Sequence, residues 1–377
     1  MPTDYMTRAL ALGKKAQGRT SPNPAVGAVV VNNGVIIGEG ATQPPGQAHA
    51  EVVALSQAGE AAKGADLYVT LEPCAFQGRT PPCTDAIIAA GIRHVSIGVL
   101  DPHPQVNGKG VAHLRDAGVS VSVGVEEAQA RQCHEAYLYS IRTGLPFVTL
   151  KMAMSADGKV ATANSAMPYL TGKAARTLVH ELRDRSDAIV VGADTVIADD
   201  PRLTTRLPRD DVHHPRRFIL DSRGRTPLDA TVLQPDLPGR TTVVTSESAP
   251  AERLQALRAC EAAVWSLPAR DGGVDLLAFL QQLGAEGVRS VLLEGGPTLA
   301  GAFLSVDRVQ KLLLFVAPLL VGRDDIPALL AGRHQPALTA MRGFHFSSVR
   351  CIGSDVLMTA NLETVKRLRS PALRESP

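Results

Sequence analysis

The sequence predicts two α/β domains in series, at residues 1–145 and 146–364, followed by a flexible tail at 365–377. A chain of 377 residues is too long for one ordinary hydrophobic core. Strand-like apolar runs alternate with helical segments in both halves, which is typical of layered α/β structure. Between the halves, Gly144-Leu145-Pro146 ends a helix and precedes a new apolar strand.

The first half should open with a helix over 4–17 and a β-hairpin. The hairpin strands, 25–31 and 35–40, are joined by Asn32-Asn33-Gly34, which is a good turn signal. The following elements alternate in type: helix 49–58, strand 67–71, helix 84–90, strand 94–100, helix 110–117, strand 119–125 and helix 126–142. This order predicts helices packed on a sheet.

The second half should be a separate α/β domain that begins with the apolar strand 147–152. The predicted elements are helix 173–185, strands 188–192, 217–221 and 241–245, helix 275–285, strand 289–294, helix 297–305 and strand 309–316. The polar composition of residues 365–377 predicts a loose end to the chain.

Composition argues against several classes of protein. The net charge is +2 and aromatic residues make up 4%, whereas nucleic-acid binders usually combine a basic face with aromatic side chains. No apolar run approaches the roughly 20 residues that span a bilayer, and the amino terminus does not resemble a signal peptide. Five cysteines, an odd number, indicate reduced thiols. We therefore expect a cytoplasmic protein with neither a nucleic-acid nor a membrane partner.

Four residues of the first half form a candidate catalytic centre. His49, Cys74 and Cys83 offer one imidazole and two thiolates, a set that leaves the fourth position of a zinc ion open to water. Zinc lowers the pKa of that water towards about 7 and so gives hydroxide at neutral pH. Glu51 can face the same cavity without ligating and move protons. Zinc deaminases of nucleobases share this arrangement, although two residues separate their cysteines and eight separate these.

The best local signal in the second half is a strand that runs into a glycine pair. Ser290–Leu293 leads into Glu294-Gly295-Gly296-Pro297-Thr298 and then a helix. Glycines let backbone amides approach a phosphate, and a helix amino terminus favours an anion. This pattern alone is more often a plain turn, and no Gly-X-Gly-X-X-Gly follows a strand, so an ordinary Rossmann fingerprint is absent.

Motifs occur in one order through both halves. The first half contributes His49-Ala50-Glu51, Glu72-Pro73-Cys74 and Gly78-Arg79-Thr80-Pro81-Pro82-Cys83-Thr84. The second half contributes Ser155-Ala156-Asp157-Gly158-Lys159, Gly192-Ala193-Asp194-Thr195-Val196, Ala198-Asp199-Asp200-Pro201, Asp221-Ser222 and Glu294-Gly295-Gly296-Pro297-Thr298. Through these motifs nearly the whole chain resembles the bifunctional deaminase/reductase family of riboflavin biosynthesis, which the eight-residue cysteine gap marks.

The resemblance implies a cytidine-deaminase-like α/β/α sandwich followed by a dihydrofolate-reductase-like α/β domain. It implies one zinc ion per chain, held by His49, Cys74 and Cys83, with Glu51 as the proton shuttle. The implied substrate is a phosphorylated pyrimidine, 2,5-diamino-6-(5-phosphoribosylamino)pyrimidin-4(3H)-one, which loses its 2-amino group. NADPH then reduces the ribosyl group of 5-amino-6-(5-phosphoribosylamino)uracil to ribityl. We also expect a homo-oligomer.

The resemblance further assigns binding residues in the second domain. Those implied to contact NADPH are Ala153, Tyr169, Thr195, Asp199, Ser222, Gly296, Pro297, Thr298, Leu299, Ala300, Gly301 and Ala302. Those implied to contact substrate are Met167, Arg183, Leu203, Arg206 and Glu294. Arginine suits forked hydrogen bonds to phosphate, which supports Arg183 and Arg206 on physical grounds. No catalytic acid is assigned in this domain.

The chain departs from the family pattern at several positions implied to line the pockets. Phe76 stands where the family usually has His, and Thr42 and His103 where it often has His and Asn. In the second domain Met167 stands for Ser and Tyr169 for Trp. The Met167 exchange predicts one hydrogen bond fewer to substrate.

The motifs also admit a structural explanation and two other functions. A lone His-X-Glu is usually a solvated helix end, and neighbouring cysteines are usually small buried residues. A nucleoside or tRNA deaminase with an unrelated second domain is disfavoured by the low basic content and the cysteine gap. A binding protein with a degenerate zinc site is disfavoured by Glu51, since a structural zinc needs no proton shuttle and favours a fourth protein ligand.

Overall fold

The computed structural model describes residues 2–78, 80–160, 169–260, 262–330 and 344–362. The chain divides into two compact units, 1–147 with 184–187 and 280–290, and 148–183 with 188–279 and 291–377. The functional division at residue 146 stays a prediction. The predicted tail at 365–377 and the substrate position Met167 lie outside the described residues.

The first unit contains a five-stranded sheet with the order β2-β1-β3-β4-β5. Strands β1 and β2 form the predicted antiparallel hairpin, β3 pairs antiparallel with β1, and β3, β4 and β5 run parallel. The elements are α1 Pro2–Ala16, β1 Gly27–Asn32, β2 Val35–Ala41, α2 Ala50–Ala58, β3 Asp66–Leu71, α3 Cys83–Ala89, β4 His94–Val99, α4 Lys109–Asp116, β5 Ser120–Val123, α5 Glu127–Cys133 and α6 Glu135–Thr143.

Helix α2 lies unusually close to strand β2, and two glycines allow this. A Cβ atom on Gly38 would lie 2.1 Å from the carbonyl oxygen of Ala54, and one on Gly40 would lie 2.1 Å from that of Ala50. Any side chain at either position would therefore push the helix away from the sheet. This close packing fixes the start of α2, where two of the predicted site residues lie.

The predicted single helix over 126–142 is wrong. The structure has two helices, α5 and α6, separated at His134, whose φ and ψ are −98° and 9°. The His134 side chain is buried and its Nε2 lies 2.9 Å from Oγ1 of Thr70 in β3. A polar contact across 64 residues leaves no signal in local periodicity, because periodicity reports only which face of a helix is apolar.

From residue 147 onward, nine strands form a sheet with the order β10-β9-β8-β7-β13-β6-β14-β16-β15. Strands β7 to β10 run parallel, as do β7 with β13 and β6 with β14, while β16 is antiparallel to β14 and β15. The strands are β6 Phe147–Ser155, β7 Ala188–Gly192, β8 Arg216–Leu220, β9 Thr241–Ser246, β10 Ala263–Leu267, β13 Ser290–Leu293, β14 Lys311–Ala317, β15 His345–Ile352 and β16 Asp355–Asn361.

The helices that accompany this sheet are α7 Lys173–Arg185, α8 Ala193–Asp199, α9 Ala251–Ala259, α10 Leu276–Ala285 and α11 Pro297–Ser305, and a short hairpin joins β11 Ala269–Arg270 to β12 Gly273–Val274. All the strands and helices predicted for this half are present. Helices α8 and α9, strands β10, β15 and β16 and the short hairpin were not predicted from the sequence. Within the described residues, no helix is both long enough and apolar enough to cross a bilayer.

Candidate functional sites

His49, Cys74 and Cys83 come together in the first unit, and we refer to them as the zinc-ligand cluster. His49 is the residue before α2, Cys74 follows β3, and Cys83 begins α3. The His49 Nδ1 atom lies 3.2 Å from Cys83 Sγ and 3.7 Å from Cys74 Sγ. All three ligand atoms lie within 4.8 Å of one another, so one metal ion can reach them together.

Hydrogen bonds close the eight-residue gap between the two cysteines. The Thr84 backbone N–H and hydroxyl both donate to the Cys74 carbonyl oxygen, at 3.2 and 3.3 Å. The Cys83 N–H donates to Cys74 Sγ at 3.4 Å. The chain thus turns back onto Cys74, and a gap of this length is compatible with binding of one metal ion by both cysteines.

Glu51 lies in the first turn of α2, buried beside the zinc-ligand cluster. Burial raises the pKa of its carboxyl to about 7, and the charge of Cys74 acts in the same direction. Its Oε2 atom has no hydrogen-bond partner among the described residues. Such an atom is costly to bury, so its position indicates a group that meets a ligand.

The donor set fits zinc in its chemistry as well as its spacing. Two sulfurs and one imidazole nitrogen are ligands that zinc favours, and three of them leave a position open. A hydrogen bond from Cys83 lowers the pKa of the Cys74 thiol, which favours the thiolate that binds metal. Glu51 is outside the set of three and is free to act on protons.

Glu72 is a supporting residue whose role was not predicted from the sequence. Its buried carboxylate accepts backbone N–H groups from Asp101, Gly108 and Val111, at 3.2, 3.0 and 3.2 Å. A Cβ atom on Gly110 would lie 2.1 Å from the Pro73 carbonyl oxygen. The loop after β4 and the start of α4 are therefore held against the segment that carries Cys74. Glu72 belongs to a quoted motif, but nothing local shows which amides it binds.

Three first-unit residues that depart from the family pattern, Phe76, His103 and Thr42, have different surroundings. The rings of Phe76 and His103 stack nearly parallel, with centroids 5.8 Å apart and planes inclined by 9°. His103 Nδ1 accepts the Gln105 N–H at 3.3 Å. Thr42 is buried, and its hydroxyl oxygen accepts the Val26 N–H at 3.1 Å, so this oxygen already serves the fold.

In the second unit, most of the predicted cofactor residues follow the carboxyl ends of strands. Thr195 and Asp199 lie in α8 after β7, Ser222 follows β8, and Ala153 lies near the end of β6. Gly296 precedes α11, and Pro297 begins it. A Cβ atom on Gly296 would lie 3.8 Å from Thr195 Oγ1, so these two segments are adjacent. Dinucleotides bind at this edge of α/β sheets.

The remaining members of the predicted glycine-rich segment, Thr298, Leu299, Ala300, Gly301 and Ala302, form the first turns of α11. Tyr169 is largely exposed, and its ring lies under the Arg176 guanidinium, 4.7 Å from the ring centroid. Ser222 Oγ accepts the Val274 N–H at 3.1 Å.

Arg183 and Glu294, both predicted to contact substrate, form a buried ion pair. The Nε and Nη2 atoms of Arg183 donate to the two Glu294 oxygens at 2.7 and 2.9 Å. Arg183 Nη1 also donates to the Thr204 carbonyl oxygen at 3.1 Å. The forked face expected to bind phosphate is thus occupied by Glu294. Arg206 is exposed, and among the described residues its side chain donates only to Thr204 Oγ1, at 3.3 Å.

Two residues near this ion pair were missed. Burial lowers the pKa of Lys151, on β6, while the nearby Glu294 carboxylate favours its charged form. His180, on α7, accepts the Arg206 backbone N–H at Nδ1, at 3.3 Å. Neither residue lies in a motif with a recognisable spacing, so no local signal identifies them.

Comparisons with known proteins match both halves of the chain. Residues 2–99 match the cytidine and deoxycytidylate deaminase zinc-binding region, and residues 146–358 match the RibD C-terminal domain. These matches confirm the predicted fold class, a cytidine-deaminase-like domain followed by a reductase domain.

Individual relatives match nearly the whole chain. The riboflavin biosynthesis protein RibD of Escherichia coli K12 is 40% identical over 371 residues, which covers 94% of this chain and 97% of that protein. RibD of Aquifex aeolicus is 44% identical over 319 residues, covering 85% and 87%. The diaminohydroxyphosphoribosylaminopyrimidine deaminase/5-amino-6-(5-phosphoribosylamino)uracil reductase of Thermotoga maritima superposes with a TM-score of 0.83 at 34% identity, covering 96% and 99%. Acinetobacter baumannii RibD gives a TM-score of 0.81 at 37% identity, again covering 96% and 99%. The chain therefore belongs to the RibD family of riboflavin-biosynthesis deaminase/reductases.

Proposed function

We propose that this chain catalyses two consecutive steps of riboflavin biosynthesis, one in each predicted domain. Residues 1–145 hydrolyse the 2-amino group of 2,5-diamino-6-(5-phosphoribosylamino)pyrimidin-4(3H)-one. Residues 146–364 reduce the ribosyl group of the resulting uracil to ribityl with NADPH. The observation that carries the proposal is the zinc-ligand cluster with a buried Glu51 oxygen beside it that has no hydrogen-bond partner in the described part of the chain.

In the deamination, water adds its oxygen to ring carbon C2 and the amino group leaves as ammonia. His49, Cys74 and Cys83 would hold the zinc ion, which supplies a Lewis acid that lowers the pKa of water. Glu51 accepts the proton of the attacking water and passes protons to the ring nitrogen and the leaving nitrogen. This role is supported by the position of Glu51 in the first turn of α2 and by the charges of Cys74 and His49, which act on its carboxyl.

In the reduction, NADPH would supply the hydride, so the chain's main task is to orient cofactor and substrate. The amino terminus of α11 and the adjacent Thr195 support the assignment of Gly296–Ala302 to the NADPH phosphates. Arg206 is the exposed cation assigned to the substrate 5-phosphate. Arg183 and Glu294 are both assigned to the substrate site, and Arg183 fixes the Glu294 carboxylate there through two hydrogen bonds.

The expected homo-oligomer is supported by strand β15. It ends the strand order of the second sheet, and its side chains are exposed along nearly its whole length. Phe346 and Val349 are 48% and 58% exposed, and Phe344 lies just before the strand. An exposed apolar edge strand favours association with another chain.

Product analysis tests the two-step function directly. Incubation with the diaminopyrimidine substrate alone should release ammonia and yield the aminouracil. Addition of NADPH should convert this product to the ribityl compound with matching NADPH oxidation. Ammonia release from cytidine or tRNA, with none from the diaminopyrimidine, would favour the rival deaminase function and overturn the proposal.

A further inference from the structure

The segment Leu203-Thr204-Thr205-Arg206, which we call the arginine loop, joins buried residues to one exposed cation. Leu203, Thr204 and Thr205 are at most 4% exposed, whereas Arg206 is exposed. Leu203 has a φ of 52°, in the left-handed region that residues with a side chain rarely adopt. Contacts around the loop must therefore maintain this conformation, because the loop backbone does not favour it.

Two histidines bind consecutive backbone amides of the arginine loop. The Thr205 N–H donates to His214 Nδ1 and the Arg206 N–H donates to His180 Nδ1, each at 3.3 Å. Burial and, to a smaller extent, the guanidinium groups of Arg183 and Arg206 together lower the pKa of His180 to about 4. His180 is thus neutral at physiological pH, with the lone pair at Nδ1 that the Arg206 amide requires.

The charges near His180 favour an anion. Lys151, Arg183 and Arg206 are basic, and Glu294 is the carboxylate that faces His180 and is paired with Arg183. A protonated imidazole here would add repulsion to this cluster, whereas a neutral one can bind the Arg206 amide without changing the charge. The excess of positive charge matches a phosphate dianion.

We propose that His180 is a positioning residue of the reductase site, which orients Arg206 towards the 5-phosphate of the substrate by accepting the Arg206 backbone N–H. This rests on the proposed function, in which Arg206 binds that phosphate. His180 itself does not touch the reacting atoms. Its removal frees the arginine loop and weakens the phosphate contact while hydride transfer keeps its rate.

Three substitutions of His180 separate this role from general packing. His180→Leu removes the acceptor. His180→Asn keeps an acceptor near the place of Nδ1, because the amide oxygen branches from the same carbon. His180→Gln puts its amide near the place of Nε2. Reductase kinetics with the deaminated, phosphorylated pyrimidine should show KM raised about tenfold in the Leu and Gln variants, with kcat unchanged and near-normal KM in the Asn variant.

Inorganic phosphate, used as a competitive inhibitor of the reductase, gives a second readout. Its inhibition constant should rise in the Leu and Gln variants and stay normal in the Asn variant, with NADPH affinity unchanged in all three. The unchanged kcat and NADPH affinity report that the reductase domain of each variant is folded, and ammonia release reports the same for the deaminase domain. Equal KM increases for the Asn and Gln variants, or a KM increase that also occurs with a phosphate-free substrate, would overturn the proposal.

The variant Arg206→Ala separates the phosphate-binding role of Arg206 from the positioning role of His180. If this variant leaves phosphate inhibition unchanged, the assignment of Arg206 to phosphate is wrong and the proposed function must be revised there. If it abolishes phosphate inhibition while His180→Leu has no effect, only the role of His180 is wrong.

Discussion

The two candidate sites differ in whether the oxygens of their buried carboxylates have hydrogen-bond partners. At the zinc-ligand cluster, one oxygen of Glu51 has no partner among the described residues. In the second unit, both oxygens of Glu294 accept hydrogen bonds from Arg183. A buried oxygen without a hydrogen-bond partner lowers the stability of the fold, so its removal costs nothing. A buried carboxylate that is paired becomes destabilising when its partner is removed. Substitution of Glu51 should therefore affect catalysis alone, whereas substitution in the Arg183–Glu294 pair should also affect the fold.

The largest expected effect is at the metal. Purified protein should carry about one zinc ion per chain, and Cys74→Ser or Cys83→Ser should lose it, because one imidazole and one thiolate hold zinc poorly. Ammonia release should then stop, while NADPH oxidation with the aminouracil continues. Metal analysis and the two activity assays measure this. Cys260→Ser, in the second unit, is the matched control and should keep zinc. Full zinc content in both cluster variants would remove the assignment.

The second largest effect is expected at the buried Arg183–Glu294 ion pair. Arg183→Leu leaves the Glu294 carboxylate and the Thr204 carbonyl oxygen without this partner, and should lower the free energy of unfolding by about 3–5 kcal/mol. The double variant Arg183→Leu, Glu294→Leu should recover much of this loss, since no buried charge stays unpaired. Chemical denaturation of the single and double variants measures the difference. Equal stability of Arg183→Leu and the natural chain would show that the pair contributes nothing.

The same contrast explains which features the sequence could predict. The zinc-ligand cluster was predicted because His49, Cys74 and Cys83 lie in short motifs at strand and helix ends, and each residue type has a defined metal chemistry. The layered α/β fold was predicted because apolar periodicity is a local property. Glu51 followed from its two-residue separation from His49.

Long-range contacts could not be predicted. The break between α5 and α6 lies at His134, whose side chain contacts the distant Thr70, and the forked donors of Arg183 bind Glu294, 111 residues away. His180 and Lys151 lie in segments without a recognisable motif, and only the fold brings them near the Arg183–Glu294 pair. The hairpin of β15 and β16 was missed because its exposed first strand has no buried alternate face to set a period-two pattern.

The variant Glu51→Gln tests the proton-transfer role of the Glu51 carboxylate. It removes the proton shuttle with little change in size, so ammonia release should fall by at least about two orders of magnitude. Zinc content and thermal stability should hold, because Glu51 is neither a ligand nor fully hydrogen-bonded. NADPH oxidation with the aminouracil should persist. Glu60→Gln, an exposed change just after α2, is the matched control and should be neutral. Normal deamination by Glu51→Gln would remove this residue from the mechanism, and loss of both activities with the fold intact would mean that the two sites are coupled.

The smallest expected effect is that of substituting Arg206, whose side chain forms only one hydrogen bond among the described residues. Arg206→Ala should therefore leave the stability of the protein nearly unchanged, in contrast to Arg183→Leu. It should weaken binding of the phosphorylated substrate by about 1.5–3 kcal/mol, the usual contribution of a charge-assisted hydrogen bond. Reductase KM and NADPH affinity, measured on the same preparation, test this. A loss of NADPH affinity with unchanged substrate KM would assign Arg206 to the cofactor instead. A loss of stability comparable to that of Arg183→Leu would contradict the distinction drawn between an exposed ligand-binding arginine and a buried paired one.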